Sequence, residues 1–209
     1  PRDYSLHNDV VANLFRFTEV KQWPDSVDIS EFFAHPVQRK VDQVGSVARA
    51  CVDVVEYFER RVYGKIKPRS SPFLQYAASR LSGTDFYSNA LDFRTALKTL
   101  VRYGLPAQNL WPKMDDTGKV SGPDAFVYSS ALRYENLVYV RLDQPRVTSE
   151  QTLDQLRCLT SRGIPVLFGI AVPSSVSTEP DIEYRPTIDS FPCGHAMVAV
   201  GYDNNRRNA

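Results

Sequence analysis

Two segments of the sequence carry residues whose type and spacing fit nucleophilic catalysis. His195 opens an apolar segment that runs to Tyr202, and histidine is the side chain that most readily moves protons near neutral pH. About 150 residues earlier, Ser46 lies at the predicted start of a helix. The N-terminus of a helix carries partial positive charge that stabilises an anion. A small polar side chain there and a histidine on a late strand together predict acyl-transfer chemistry.

The helix that begins at Ser46 is the most clearly predicted element of the chain. Its apolar side chains recur at spacings of three and four residues, which is the period of an amphipathic helix. We expect Ser46 to be the N-cap and Gly64 to follow the last turn. The apolar stripe consists of Val47, Ala50, Cys51, Val54, Val55, Phe58 and Val62.

The remaining pattern places helices in the first half of the chain and strands in the second. A capping box formed by Thr148 and Gln151 marks the start of a late helix. This division predicts an α+β protein with two lobes. The predicted helices are 72–82, 90–103 and 148–162, and the predicted strands are 138–142, 165–172 and 195–202.

Composition excludes several classes of function. The 209 residues carry a net charge of +1, so non-specific binding to nucleic acid or to an anionic membrane is not expected. No apolar run approaches the ~18 residues of a membrane span, and no signal peptide is recognisable. The three cysteines form no C-x-x-C pair, and His7 and His35 lack metal-ligand spacing. We therefore predict no metal, and no glycine-rich phosphate loop suggests a nucleotide cofactor.

The two segments resemble the papain family of cysteine peptidases, most closely its bacterial branch. The helix segment matches the family pattern at Ala48, Ala50, Glu56 and Tyr57. The late strand matches it more specifically, with Gly194-His195-Ala196 followed by Ala199-Val200-Gly201-Tyr202-Asp203. Weaker matches are Arg2-Asp3-Tyr4, Pro36-Val37 and the strand that begins at Pro165, so the similarity covers most of the chain.

The resemblance implies a papain-like fold, with a helical left lobe, a β-barrel-like right lobe and a cleft between them. We expect the peptidase domain at 36–209, its helical lobe at about 36–132 and its β-rich lobe at about 133–209. Residues 1–35 form an N-terminal arm that is either propeptide-like or packed on the surface. In this alignment Ser46 and His195 are the catalytic pair, and Cys193 and Gly194 line the substrate pocket.

Departures from the family pattern point to weak activity. Ser46 occupies the position of the catalytic cysteine, and Lys40 stands where a glutamine completes the oxyanion hole. The orienting asparagine of the family lies beyond the histidine strand, and the sequence ends at Ala209 before that motif, so C-terminal strands are expected to be missing. A serine needs a neutral histidine as its base and a good oxyanion hole. We therefore expect a peptidase homologue that is inactive or very weakly active.

Three alternatives stay open at this stage. In the first, the chain is an active cysteine endopeptidase captured as a Cys-to-Ser variant. In the second, a Ser46–His195 pair acts as an acyl transferase or esterase. A third reading makes Cys193 a relocated nucleophile, because it lies two residues before His195 on a strand; a small pocket-wall residue is the preferred interpretation. In every case the expected partner is a peptide or protein, without cofactor, and the chain is expected to be a monomer. The compartment is left undefined.

Overall fold

The computed structural model describes residues 23–33, 45–65, 67–86, 91–111, 121–134, 137–175, 185 and 187–206. The described residues divide into two compact units. The first unit lies within Phe32–Val138. The second unit combines 23–31 with 139–206, so its two parts come from opposite ends of the described chain.

The first unit is built from helices. Helix α1 spans Ser46–Tyr63, α2 spans Ser71–Ser82, α3 spans Phe93–Tyr103 and α4 spans Ala125–Ser130. The predicted helices 46–62, 72–82 and 90–103 are therefore confirmed, with α3 starting three residues later because Asp92 caps it by accepting from the Thr95 N–H at 2.9 Å. The short α4 lies in a stretch for which the sequence predicted no element.

An aromatic cluster fills the core of the first unit. Phe73 and Trp111 are 0% and 2% exposed, and their ring centroids are 6.3 Å apart in an edge-to-face arrangement. The hydroxyl of Ser70 donates to the Trp111 carbonyl at 2.7 Å and also caps α2 by accepting from the Phe73 N–H. This one side chain therefore ties the start of α2 to a segment 41 residues away.

The second unit contains one long helix and two small antiparallel sheets. Helix α5 spans Ser149–Ser161 and has the predicted capping box between Thr148 and Gln151. Strand β2, Val166–Val172, pairs with β3, Cys193–Ala199, with Ile170 opposite His195. Strand β1, Ser26–Asp28, pairs with β4, Gly201–Asp203.

The predicted strand 165–172 is confirmed as β2, whereas the structure corrects the other two strand predictions and the barrel. Residues 138–142 form no strand, and only Val140 makes a single bridge. The predicted strand 195–202 is two strands, β3 and β4, with Val200 between them. Strand β3 pairs with β2, whereas β4 pairs with β1. The Val200 carbonyl accepts a hydrogen bond from the Ile29 N–H. The described strands form two two-stranded sheets and no closed barrel.

Close backbone approach explains the glycine that opens β4. A Cβ built on Gly201 would lie 2.4 Å from the Val27 carbonyl oxygen, so any other residue would push β1 away. None of the described helices combines the length and apolar character needed to cross a lipid bilayer.

Candidate functional site

Ser46 is the first residue of α1 and not its N-cap. Gly45 is the N-cap, with a φ of 91°, and no side chain caps the helix. The left-handed conformation of Gly45 favours glycine, and the Gly45 carbonyl accepts from the Arg49 N–H at 2.7 Å. No acidic residue lies in the first turn, so no carboxylate there offsets the partial positive charge next to Ser46.

Gln75 packs behind the turn that carries Ser46. Its side chain is 2% exposed, and a Cβ on Gly45 would lie 3.4 Å from the Gln75 Oε1. The Gln75 Nε2 donates to the Phe86 carbonyl at 3.4 Å. A larger residue at Gly45 would thus have both a strained backbone and a tight contact with a buried side chain.

The two family-matching residues later in α1 are buried and have structural partners. The Glu56 carboxylate accepts from the Arg69 backbone N–H at 2.7 Å. Tyr57 is 0% exposed, and its ring stacks on Phe33 with centroids 4.8 Å apart. These contacts fix α1 in the first unit and thereby hold Ser46 at a defined position there.

A buried ion pair lies beside Glu56. The Arg69 guanidinium makes two hydrogen bonds to Glu59, at 3.1 Å from Nε and 2.9 Å from Nη2. The Tyr134 hydroxyl donates to the Glu59 Oε1 at 2.9 Å, and burial raises the pKa of Tyr134. Two carboxylates and one guanidinium are thus satisfied by each other and by the chain around them.

His195 lies on β3 in the second unit. Its Cα partner on β2 is Ile170, and its side chain is partly exposed. Side chains alternate along a strand, so Cys193 and His195 share one face of β3. Cys193 is exposed, and Gly194 between them lies opposite Ala171. A Cβ on Gly194 would meet the Ile170 carbonyl at an ordinary 3.7 Å, which leaves space for a side chain.

The three cysteines differ strongly in environment. Cys51, on α1, is 1% exposed, and its burial, with a smaller contribution from Asp53, raises its pKa to about 12. Cys158 on α5 is also buried, and burial raises its pKa. Both are core residues, as the sequence indicated. Cys193 is the exposed thiol of the chain.

The structure therefore brings some of the predicted site residues together. Cys193, Gly194 and His195 lie on one strand of the second unit, and Ser46 lies at a helix start in the first unit. Lys40 lies outside the described residues. Within the described ranges, no cluster of three or more histidine, cysteine or acidic side chains is arranged to hold a metal ion.

A polar clamp between the end of β2 and the start of β3 was not predicted from the sequence. The Asp189 carboxylate accepts from the Ser175 N–H at 2.9 Å, from the Ser175 hydroxyl at 2.8 Å and from the Ser174 hydroxyl at 3.1 Å. These bonds, the Ser175 hydroxyl first, lower the pKa of Asp189. The clamp joins the segment after β2 to the segment before β3. The sequence shows two adjacent serines, Ser174 and Ser175, but no local pattern identifies an aspartate 14 residues after Ser175 as their hydrogen-bond partner.

Comparison with known proteins gives structural neighbours only. No family profile matches the sequence, and no curated protein matches it. Among solved structures, the chain is similar to xylellain, a cysteine protease from Xylella fastidiosa, with a TM-score of 0.65 and 24% identity over 88% of this chain and 71% of that one.

Two further similar structures are proforms. One is the digestive procathepsin L 3 of the Tenebrio molitor larval midgut, with a TM-score of 0.58 and 19% identity, covering 88% of this chain and 57% of that one. The other is the proform of the Amb a 11 cysteine protease, a ragweed pollen allergen, with a TM-score of 0.57 and 22% identity. It covers 93% of this chain and 56% of that one. The chain thus spans little more than half the length of these two. Its fold is that of the papain-like cysteine proteases.

Proposed function

We propose that this chain is a homologue of the papain-like cysteine peptidases that binds peptides and cleaves them very weakly or not at all. The observation that carries the proposal is the position of Ser46, at the first residue of an 18-residue helix. In the proposed arrangement the peptide lies in a cleft between a lobe at about 36–132 and a lobe at about 133–209. Ser46 and His195 face each other across it, and Cys193 and Gly194 line the pocket.

The chemistry of serine at this position supports weak activity. A helix N-terminus and an imidazolium partner convert a cysteine to its thiolate, whereas a serine hydroxyl does not ionise under these conditions. Ser46 therefore depends on neutral His195 as a general base. In the same alignment Lys40 replaces the glutamine donor of the oxyanion hole, and losing one such donor typically costs about 10²–10³ in rate.

The cysteines of the chain do not replace the missing thiolate. Cys51 is the only cysteine in α1, and with a pKa of about 12 it is a buried thiol at neutral pH. Cys158 is buried as well. Cys193 is exposed, but it lies on β3 and not at a helix start. The preferred role for Cys193 is a small wall residue of the pocket.

A cysteine peptidase in which serine stands in for the nucleophile is the second candidate. The start of α1 favours it, because a helix N-terminus without acidic residues is the environment that stabilises a thiolate. A cysteine codon at position 46 of the encoding gene would select this candidate. A Ser46–His195 acyl transferase or esterase is the third candidate, and it would hydrolyse activated esters in the chain as it stands.

The test introduces the missing thiol. We expect Ser46→Cys, made in a Cys193→Ser background, to react with iodoacetamide with an apparent pKa below the ~8.5 of an ordinary cysteine. His195→Ala should raise that apparent pKa, because the imidazolium no longer stabilises the thiolate. Turnover of peptides should remain low until Lys40→Gln restores an oxyanion donor.

Ser71→Cys is the matched control. Ser71 is also a partly exposed serine at the first residue of a helix, namely α2, but the proposal gives it no histidine partner. The helix N-terminus should lower the pKa of both introduced thiols, whereas His195→Ala should change only the one at position 46. If His195→Ala leaves both pKa values unchanged, Ser46 and His195 are not partners and the proposal fails.

A further inference from the structure

A buried polar side chain of α2 lies against the turn that carries Ser46. Folded proteins mostly expose their glutamines, yet Gln75 is 2% exposed. A Cβ built on Gly45 would lie 3.4 Å from the Gln75 Oε1 and 3.9 Å from the Gln75 Cβ. Gln75 thus occupies the side of the turn on which a larger residue than Gly45 would place its own side chain.

The start of α1 is held in a different way from the starts of the other described α-helices. Its N-cap is Gly45, which has no side chain that could accept from the first N–H groups. Each of the other four α-helices has a side-chain oxygen of its N-cap residue that accepts from a backbone N–H, which stabilises the first turn. These N-cap residues are Ser70, Asp92, Asp124 and Thr148. At α1, packing against Gln75 takes the place of a cap.

Gln75 is itself held from the side away from the turn. Its Nε2 donates to the Phe86 carbonyl at 3.4 Å, and the Phe86 ring lies edge-to-face on Trp111 with centroids 6.3 Å apart. The hydroxyl of Ser70, at the start of the same helix, donates to the Trp111 carbonyl. Gln75 therefore connects the Gly45 turn to the aromatic core of the first unit.

The conformation of this turn decides how a nucleophile at position 46 behaves. The partial positive charge of a helix N-terminus acts only within the first turn, and it lowers the pKa of a thiol only while the N–H groups of that turn stay in place. A displacement of about 1 Å at a reacting group can lower a rate by about 10². A residue that fixes the turn therefore affects the chemistry without touching a substrate.

We propose that Gln75 is a positioning residue for the nucleophile position. Its side chain holds the Gly45 turn, and the turn holds residue 46 at the start of α1. This role rests on the proposed function in one respect, since a fixed turn matters for catalysis only if Ser46 is at the nucleophile position. The contact itself lies in the first unit and does not involve His195.

The pKa of a thiol at position 46 tests the proposal in the whole chain. With Ser46→Cys and Cys193→Ser in place, Gln75→Ala should raise the apparent pKa of that thiol by at least about 0.3, because the loosened turn stabilises the thiolate less. Loss of the partial negative charge on the Gln75 carbonyl would have the opposite sign. The pH dependence of iodoacetamide labelling measures the pKa, and an unchanged or lower value would overturn the proposal.

Hydrogen exchange measures whether the turn itself has loosened. The Arg49 N–H donates to the Gly45 carbonyl at 2.7 Å and should exchange at least about tenfold faster in Gln75→Ala. The corresponding first-turn amide of α3, that of Ala96, donates to the Asp92 carbonyl at 3.1 Å and should exchange as before. Equal acceleration of both amides would mean a general loss of stability and would overturn the proposal.

Ser79→Ala is the matched control, because Ser79 is also 2% exposed and lies one turn after Gln75 on α2. It should change neither the thiol pKa nor the exchange of the Arg49 amide. Gln75→Met keeps most of the side-chain volume and is the second variant if Gln75→Ala does not fold. Because it loses the hydrogen bond to Phe86, Arg49 exchange should be at least about threefold faster, with Ala96 unchanged. Unaltered Arg49 exchange in the folded Gln75 variants would overturn the proposal.

The same measurements separate this role from the proposed pairing of Ser46 with His195. The pKa change caused by Gln75→Ala should be the same with and without His195→Ala. If Gln75→Ala raises the pKa and His195→Ala does not, the pairing fails and the positioning role stands. If only His195→Ala raises the pKa, the pairing stands and the positioning role is overturned.

Discussion

The first unit buries whole side chains, whereas the strands of the second unit are only partly covered. Tyr57, Phe73 and Leu74 in the first unit are 0% exposed, and a satisfied ion pair lies among its helices. Along β3, from Cys193 to Ala199, only Ala196 is buried. The predicted nucleophile position is thus fixed by deep packing, whereas His195 lies in a two-stranded ladder.

The largest expected contrast is in thiol reactivity. At pH 7 we expect iodoacetamide to modify Cys193 at least about a thousandfold faster than Cys51. The pKa of about 12 leaves Cys51 protonated, and its burial requires an opening of the fold before it can react. Mass spectrometry of peptides after timed labelling measures both rates. Comparable rates would show that α1 is not packed as described.

The second contrast concerns ion pairs. Arg69→Ala should lower the free energy of unfolding by about 3–5 kcal/mol, because it leaves the Glu59 carboxylate buried without its cation. Arg141 pairs with Asp143 at 2.8 Å, but these side chains are 64% and 72% exposed. Arg141→Ala should therefore cost less than about 1 kcal/mol. Urea unfolding of the two variants measures the difference, and equal losses would contradict a buried cluster in the first unit.

The smallest expected effect is the pH dependence of the clamp in the second unit. Hydrogen bonds lower the pKa of folded Asp189, so the carboxylate stabilises the fold above its unfolded pKa of about 3.9. That contribution is lost as the pH falls below about 4 and through the folded pKa. The Tm difference between the unmodified chain and Asp189→Asn should shrink over this range. A difference that stays constant down to pH 2 would exclude the clamp.

Local periodicity predicted the helices well but not the partners of their side chains. The apolar stripe from Val47 to Val62 identifies α1, and the capping box identifies the start of α5. The N-cap prediction at Ser46 was wrong because the preceding residue, Gly45, adopts the left-handed conformation that glycine allows and is itself the N-cap. The strand predicted at 138–142 was also wrong, since these residues form only the single bridge at Val140.

The candidate site was predicted by resemblance more than by spacing. Glu56 and Tyr57 were recognised as matching residues, but the contact of Glu56 with the Arg69 backbone is tertiary and leaves no local signal. The Asp189 clamp was missed for the same reason. The pairing of Ser46 with His195 and the role of Lys40 stay predictions.

The pairing of β1 with β4 has a consequence for how the chain is made. Val27 and Tyr202 are paired and lie 175 positions apart, so this sheet closes one of the longest loops the sequence allows. Closing long loops slows folding, and β4 is made after all the other helices and strands that the structure describes. The first unit, in contrast, has all of its residues by Val138. We expect the helical part to fold during synthesis while strand β1 still waits for β4 to be made.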